Sequence, residues 1–185
     1  MKIPIQLALF LLLAQGVAAQ NTSIEKTVMA GGVPMYPSKN IIENLGSSKD
    51  HSTLVSLIKA ADLSETLQSI GPFTLFAPTN AAFNKLTKGT VDALLLPENK
   101  GQLSGIVTYH LLSGKLDSKE LMAEIDKGKG RAELLTVNGA KLTATAKDGK
   151  ITITDERSGA AMIIIKDVYQ SNGVIHVVDT VLMPK

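Results

Sequence analysis

Apolar residues in this chain follow two different periods, and the change falls near Gly130. Before it the spacing is helical. Leu54, Val55, Leu57, Ile58 and Ala61 recur at i, i+1, i+3, i+4 and i+7, which puts them on one face of a helix. Leu63, Leu67 and Ile70 continue as a second short helix that Gly71-Pro72 stops. Phe73-Thr74-Leu75-Phe76-Ala77 reads as a short strand broken by Pro78, and Thr79 is placed to cap a helix carrying Ala82, Phe83 and Leu86. Thr90 is placed to cap a further turn over Val91, Leu94 and Leu95. Pro97 suits the first turn of a helix with Leu103, Ile106, Val107 and His110. Asp117 with Glu120 forms a capping-box signature ahead of Leu121, Met122 and Ile125.

After Gly130 the period drops to two. Leu142, Ala144 and Ala146 alternate with polar neighbours, as do Ile151 and Ile153, and Asn138-Gly139 and Asp148-Gly149 are tight-hairpin signals. Met162 to Ile165 and Val174 to Met183 are apolar runs that suit buried strands. The chain is therefore expected to be α+β, with a helical first half and an antiparallel, strand-rich second half.

The N-terminus has a character of its own. Lys2 precedes an apolar run from Ile5 to Ala14, followed by the small residues Gly16-Val17-Ala18-Ala19 before Gln20. About ten apolar residues cannot cross a hydrocarbon core that needs roughly 20, so residues 1–19 read as a cleaved export signal. No cysteine follows to carry a lipid, and no apolar tail stands at the C-terminus. The mature chain is thus expected to be secreted or periplasmic, with no transmembrane segment. Residues 20–39 read as an irregular N-terminal arm containing a formal N-glycosylation triplet, Asn21-Thr22-Ser23, and residues 40–185 as the domain.

Composition narrows the chemistry. Nineteen Lys and Arg against seventeen Asp and Glu leave a net charge of +2, which provides no field for nucleic acid. The absence of cysteine rules out disulfides, thiol nucleophiles and thiolate metal sites. No nucleophile elbow, phosphate loop or H-E-x-x-H is present. Gly128-Lys129-Gly130 begins like a dinucleotide fingerprint but meets Glu133 at the third glycine position, and Lys127, Lys129 and Arg131 read as a solvated loop. His51 is expected at the surface or as a helix cap. His110 closes an apolar helix, and His176 shares a strand face with Val174, Val178 and Thr180, where a buried ring satisfies its nitrogens with backbone or hydroxyl groups. Asp167 is expected exposed near a strand end, and Asp179 as the anchor of a neighbouring loop. No catalytic group, metal site or cofactor is expected, and the chain is not expected to be an enzyme.

Three segments carry a family likeness: Gly71-Pro72-Phe73-Thr74-Leu75-Phe76-Ala77-Pro78-Thr79-Asn80-Ala81-Ala82-Phe83, then Tyr109-His110, then Asn172-Gly173-Val174-Ile175-His176-Val177-Val178-Asp179-Thr180-Val181-Leu182-Met183-Pro184. In this order they resemble the two signature boxes and the tyrosine–histidine motif of the fasciclin (FAS1) domain family, in its single-domain exported bacterial form. The second box reads as a buried terminal strand entered by a turn at Asn172-Gly173, where glycine tolerates positive φ.

The resemblance implies a wedge-shaped β-sandwich with helices packed against it, acting as a non-catalytic adhesion or interaction module. Asp167 and Val168 match an Asp-Ile pair to which integrin recognition has been attributed in animal members. Tyr109-His110 matches a second proposed recognition motif, although Val168 and Tyr109 are apolar enough to be core. Asp167, Val168, Tyr109 and His110 are therefore the candidate binding residues. The partner expected is a cell-surface or envelope protein or glycan, with self-association as a further possibility. The alternative is an envelope protein that binds a small apolar ligand or pigment.

Overall fold

The computed structural model describes residues 26–185, so the expected export signal, residues 1–19, lies outside the described residues. Over its described part the expected irregular arm is a hairpin. Strands β1 (Val28–Ala30) and β2 (Val33–Met35) pair antiparallel, turned by Gly31 and Gly32 at φ 62° and 77°. Two successive positive φ values make the mirror-image turn that matches strand twist. Strands of three residues, one holding Pro34, are too short for alternation to show.

The helical half follows. Helix α1 (Ile41–Ser47) is closed by a capping box between Asn40 and Glu43, and a short turn at Lys49–His51 leads into α2 (Ser52–Ala60). Next come α3 (Ser64–Gln68), strand β3 (Phe73–Pro78) and α4 (Asn80–Phe83), where Thr79 Oγ1 accepts the Ala82 N–H at 3.2 Å, as a cap does. In α5 (Thr90–Leu94) the cap position falls to Gly89 in the left-handed region, so Thr90 is the first helical residue. Pro97 opens a short 3-10 turn ahead of α6 (Lys100–Tyr109). Strand β4 (Leu111–Ser113), which the apolar pattern hides at a helix end, precedes α7 (Ser118–Lys127).

The strand-rich half comprises β5 (Arg131–Leu135), β6 (Lys141–Lys147), β7 (Lys150–Thr154), β8 (Ala160–Gln170) and β9 (Gly173–Val178). Asp148 and Gly149, at φ 51° and 74°, form the expected two-residue hairpin turn between β6 and β7. The seven-stranded sheet runs β4-β3-β9-β8-β7-β6-β5. It is antiparallel except where β3 and β9 run parallel, so it is mixed, and it unites the two halves of the sequence.

Strand β8 belongs to both parts of the sheet. Residues 160–162 pair with β7, whereas Ile163 to Gln170 pair with β9 through two register shifts. The far edges meet through a bridge between Leu112 and Thr136 and the Val137 N–H on the Leu111 carbonyl at 2.8 Å. The sheet thus folds over an interior holding Phe76, Tyr109, Leu142, Ala144, Ile153 and Val178. Alternate residues of the same strands, Leu75, Ala77, Ile175 and Val177, face a second core against Leu54, Leu57, Ile58 and Leu103. This is the period-two logic of a sheet covered on both faces. The apolar run to Met183 is not one strand: β9 stops at Val178, and Val181 and Leu182 are buried without being strand.

Candidate functional site

The four candidate residues divide into two groups. Tyr109 and His110 end α6. Tyr109 is fully buried, and its hydroxyl accepts the Glu156 N–H at 3.1 Å and donates to the Lys141 carbonyl at 3.0 Å. His110 is also buried. Its Nδ1 is 2.8 Å from the Ile106 carbonyl, and its Nε2 is 3.0 Å from the backbone nitrogen of Leu182. An N–H facing a ring nitrogen needs a lone pair there, so Nδ1 carries the proton and the ring is neutral. Burial holds the imidazole well below its ordinary range, at about 4.

Asp167 and Val168 sit on β8, Asp167 within its second register shift and Val168 where the ladder resumes by pairing with Ile175. Asp167 lies at φ 59°, a left-handed conformation that Asp tolerates better than most residues. It is half-buried rather than exposed. Its Oδ1 accepts the Ser118 N–H at 2.6 Å and its Oδ2 the Ser118 hydroxyl, so the carboxylate grips the first residue of α7. Val168 is wholly buried in the helix-side core.

The loop from Gly114 to Ser118 is held from several directions. Thr74 Oγ1 donates to the Gly114 carbonyl at 2.7 Å and accepts the Leu116 N–H at 2.8 Å. His176 Nε2 is 2.8 Å from the Leu116 carbonyl, and its Nδ1 receives the Asp167 N–H at 3.4 Å. The expected backbone satisfaction of a buried His176 is thus observed, and its ring stacks on Phe76 with centroids 5.9 Å apart. Tyr169 Oη donates to Asp117 Oδ2 at 3.1 Å. Burial, with the Asp117 carboxylate beside it, pushes the Tyr169 phenol up to about 12. Asp117 also caps α7 by accepting from the Lys119 and Glu120 N–H groups. These hydrogen bonds, the Glu120 one foremost, hold its carboxyl below the usual range.

Of the other titratable groups, His51 departs from expectation. His51 is fully buried, not at the surface, and it makes no cap hydrogen bond. The β1–β2 turn covers it: Gly31 packs against Ser48 and His51, and His51 Nδ1 is 2.7 Å from Ser48 Oγ. Asp179 accepts the Met162 N–H at 2.8 Å and stands 3.6 Å from Lys85 Nζ, which ties down the start of β8. Asp155, which attracted no notice in the sequence, accepts from the N–H groups of Arg157, Gly159 and Met183 and fastens the C-terminal segment. Its signal is the Asp-x-x-x-Gly turn that begins at Asp155. The carboxylates of Asp167 and Asp179 grip different segments, Ser118 and Met162, and His176 meets Asp167 only through the Asp167 backbone N–H.

Among the described residues, no group of three or more His, Asp or Glu side chains is arranged to hold a metal ion. No helix among them is long and apolar enough to cross a membrane.

A family model described as "Fasciclin domain" matches residues 49–184. "Protein sll1483" of Synechocystis sp. is 42% identical over 166 residues, which cover 90% of this chain and 85% of that protein. Human periostin is 34% identical over 146 residues, 79% of this chain but 16% of periostin. Among solved structures, a FAS1 domain pair from the insect cell adhesion molecule fasciclin I overlays with a TM-score of 0.71 at 19% identity. The match covers 86% of this chain and 58% of that one.

Proposed function

Because the chain belongs to the fasciclin domain family, we propose that it is a non-catalytic adhesion or interaction module, secreted or periplasmic, that binds a cell-surface or envelope protein or glycan. The observation that carries this reading is the shoulder of β8. There the register shifts break the regular ladder and present Ile164, 48% exposed, with Lys166 and the half-buried Asp167 beside it. Strand irregularities of this kind re-aim side chains out of the sheet. Val168, buried just beyond the shoulder, anchors it to the helix-side core, whereas Tyr109 and His110 are held inside by Lys141, Glu156, Ile106 and Leu182. The likeness to a domain pair of an insect cell adhesion molecule supports the same reading.

The test is surface plasmon resonance of the immobilised mature chain against fractionated envelope and cell-surface extracts. Saturable binding is expected from one fraction. Ile164→Asp and Lys166→Glu should weaken it, and Ile70→Asp, at a 94% exposed position just after α3, should not. Absence of saturable binding in every fraction, or equal loss in all three variants, would overturn the proposal.

A further inference from the structure

A cleft of about 530 Å³ opens between the β1–β2 hairpin and β8, lined by Lys26, Val28, Pro37, Lys166, Asp167 and Tyr169. Its volume falls within the roughly 300–1,000 Å³ typical of small-ligand sites. The polar groups of its floor are already satisfied from within. Asp167 accepts from Ser118 through both carboxylate oxygens, and Tyr169 Oη donates to Asp117. What remains to meet a ligand is apolar surface from Val28, Pro37 and the Tyr169 ring, together with the ammonium groups of Lys26 and Lys166. Neither lysine has a carboxylate partner among the described residues. Lys115 adds a third positive charge nearby, its Nζ 4.6 Å from the centroid of the Tyr169 ring.

We propose that this cleft binds a small amphiphilic carboxylate. Its apolar tail would lie on Val28, Pro37 and Tyr169, and its single negative charge would be met by Lys26 and Lys166. The proposal goes beyond adhesion, since the ligand is a small molecule and the cleft depends on the hairpin. The sign and size of the ligand charge follow from the surroundings. The lysines disfavour a cation, and the carboxylates of Asp117 and Asp167 offset part of their field, so a monoanion fits better than a polyanion. A neutral hydrocarbon would leave both ammonium groups with nothing gained, and a short carboxylate would leave the apolar wall uncovered.

The test is isothermal titration calorimetry of the mature chain with decanoate, decanol and acetate. Decanoate should bind saturably at one site, decanol about tenfold more weakly, and acetate without detectable saturation. The double variant Lys26→Gln/Lys166→Gln should weaken decanoate about tenfold and leave decanol unchanged. Val28→Asp should abolish binding of both, with thermal melting used to confirm that each variant is folded. The proposal is overturned if decanoate does not saturate, if decanol or acetate binds as tightly as decanoate, or if folded double and Val28→Asp variants bind decanoate as the parent does.

Discussion

His110 Nε2 accepts the backbone N–H of Leu182 at 3.0 Å, a contact between the end of α6 and the last turn of the chain. His176 makes the complementary arrangement. Its Nε2–H donates to Leu116, and its Nδ1 faces the Asp167 N–H. In each ring the acceptor nitrogen looks at a backbone donor, so a second proton would set N–H against N–H. The two motif histidines are neutral, and they carry opposite tautomers.

Stability should therefore fall in mild acid. Burial holds His110 at about 4 and lowers His176 and His51 as well, whereas an unfolded histidine titrates near 6.5. Below about pH 6.5 the unfolded chain takes up protons that the native rings refuse, and ν_U exceeds ν_N. The loss grows as pH falls, by up to about 1.4 kcal/mol per pH unit per histidine, and levels off once pH drops below the folded values. Urea unfolding between about pH 7.5 and pH 4 measures it. A flat profile across that window would contradict the neutral rings.

Asp167 combines a left-handed backbone with a carboxylate that holds Ser118, and the two contributions can be separated. Asp167→Ala loses the hydrogen bonds and keeps the strain, and should cost about 2–3 kcal/mol. Asp167→Gly loses the bonds but relieves the backbone, and should recover about 1 kcal/mol of that loss. Asp167→Asn, which tolerates the same conformation, should lie between Gly and the parent. Denaturant midpoints give the order. If Ala matches the parent, the carboxylate is not what fastens α7.

Tyr169 and Asp117 should prove coupled. Asp117→Ala removes a helix cap and a phenol acceptor together, at about 1–2 kcal/mol, and Tyr169→Phe removes the phenol donor alone. A double-mutant cycle on unfolding free energy should give about 1 kcal/mol of interaction. Strict additivity would mean that the 3.1 Å contact does not hold the loop against β8.

Most local signals in the sequence were readable, Thr90 excepted, which opens α5 instead of capping it. The Asp117–Glu120 capping box, the Thr79 cap and the Asp148-Gly149 turn each depend on a few adjacent residues, and each stands as expected. The α+β class followed from the change of period. What escaped depends on contacts distant in sequence. His51 is buried because the Gly31 turn folds over it, and Asp155 matters because Met183 returns to it. The parallel pairing of β3 with β9 leaves no trace in either strand's own alternation. In the candidate site, Tyr109-His110 and Asp167-Val168 match recognition motifs, yet Tyr109 and Val168 are apolar enough to be core. Only their position in three dimensions places them inside.

Gly173 gives the sharpest case of a residue whose identity was read for the wrong reason. It is not among the positive-φ residues of the chain. A β-carbon there would stand 2.2 Å from the Phe73 carbonyl oxygen and 2.9 Å from its carbon. Glycine is needed because β9 begins in close contact with the backbone of β3, where Phe73 and Gly173 pair and the Phe73 N–H reaches the Asn172 carbonyl at 3.0 Å. The same turn fixes the helices: Asn172 Oδ1 accepts the Ile41 N–H at 3.0 Å, and its Nδ2 donates to Leu67 and Ser69. Gly173→Ala must displace backbone rather than a flexible side chain, so it should cost about 3 kcal/mol, at the upper end of overpacking penalties, and lower the melting temperature accordingly. Gly105→Ala is the control. It lies within α6 with nothing within 4 Å of the added carbon, and should gain about 0.5–1 kcal/mol from helix propensity. Thermal and urea unfolding of both variants measures the contrast. A Gly173→Ala protein as stable as the parent would mean that the approach of β9 to β3 is not what demands glycine after Asn172.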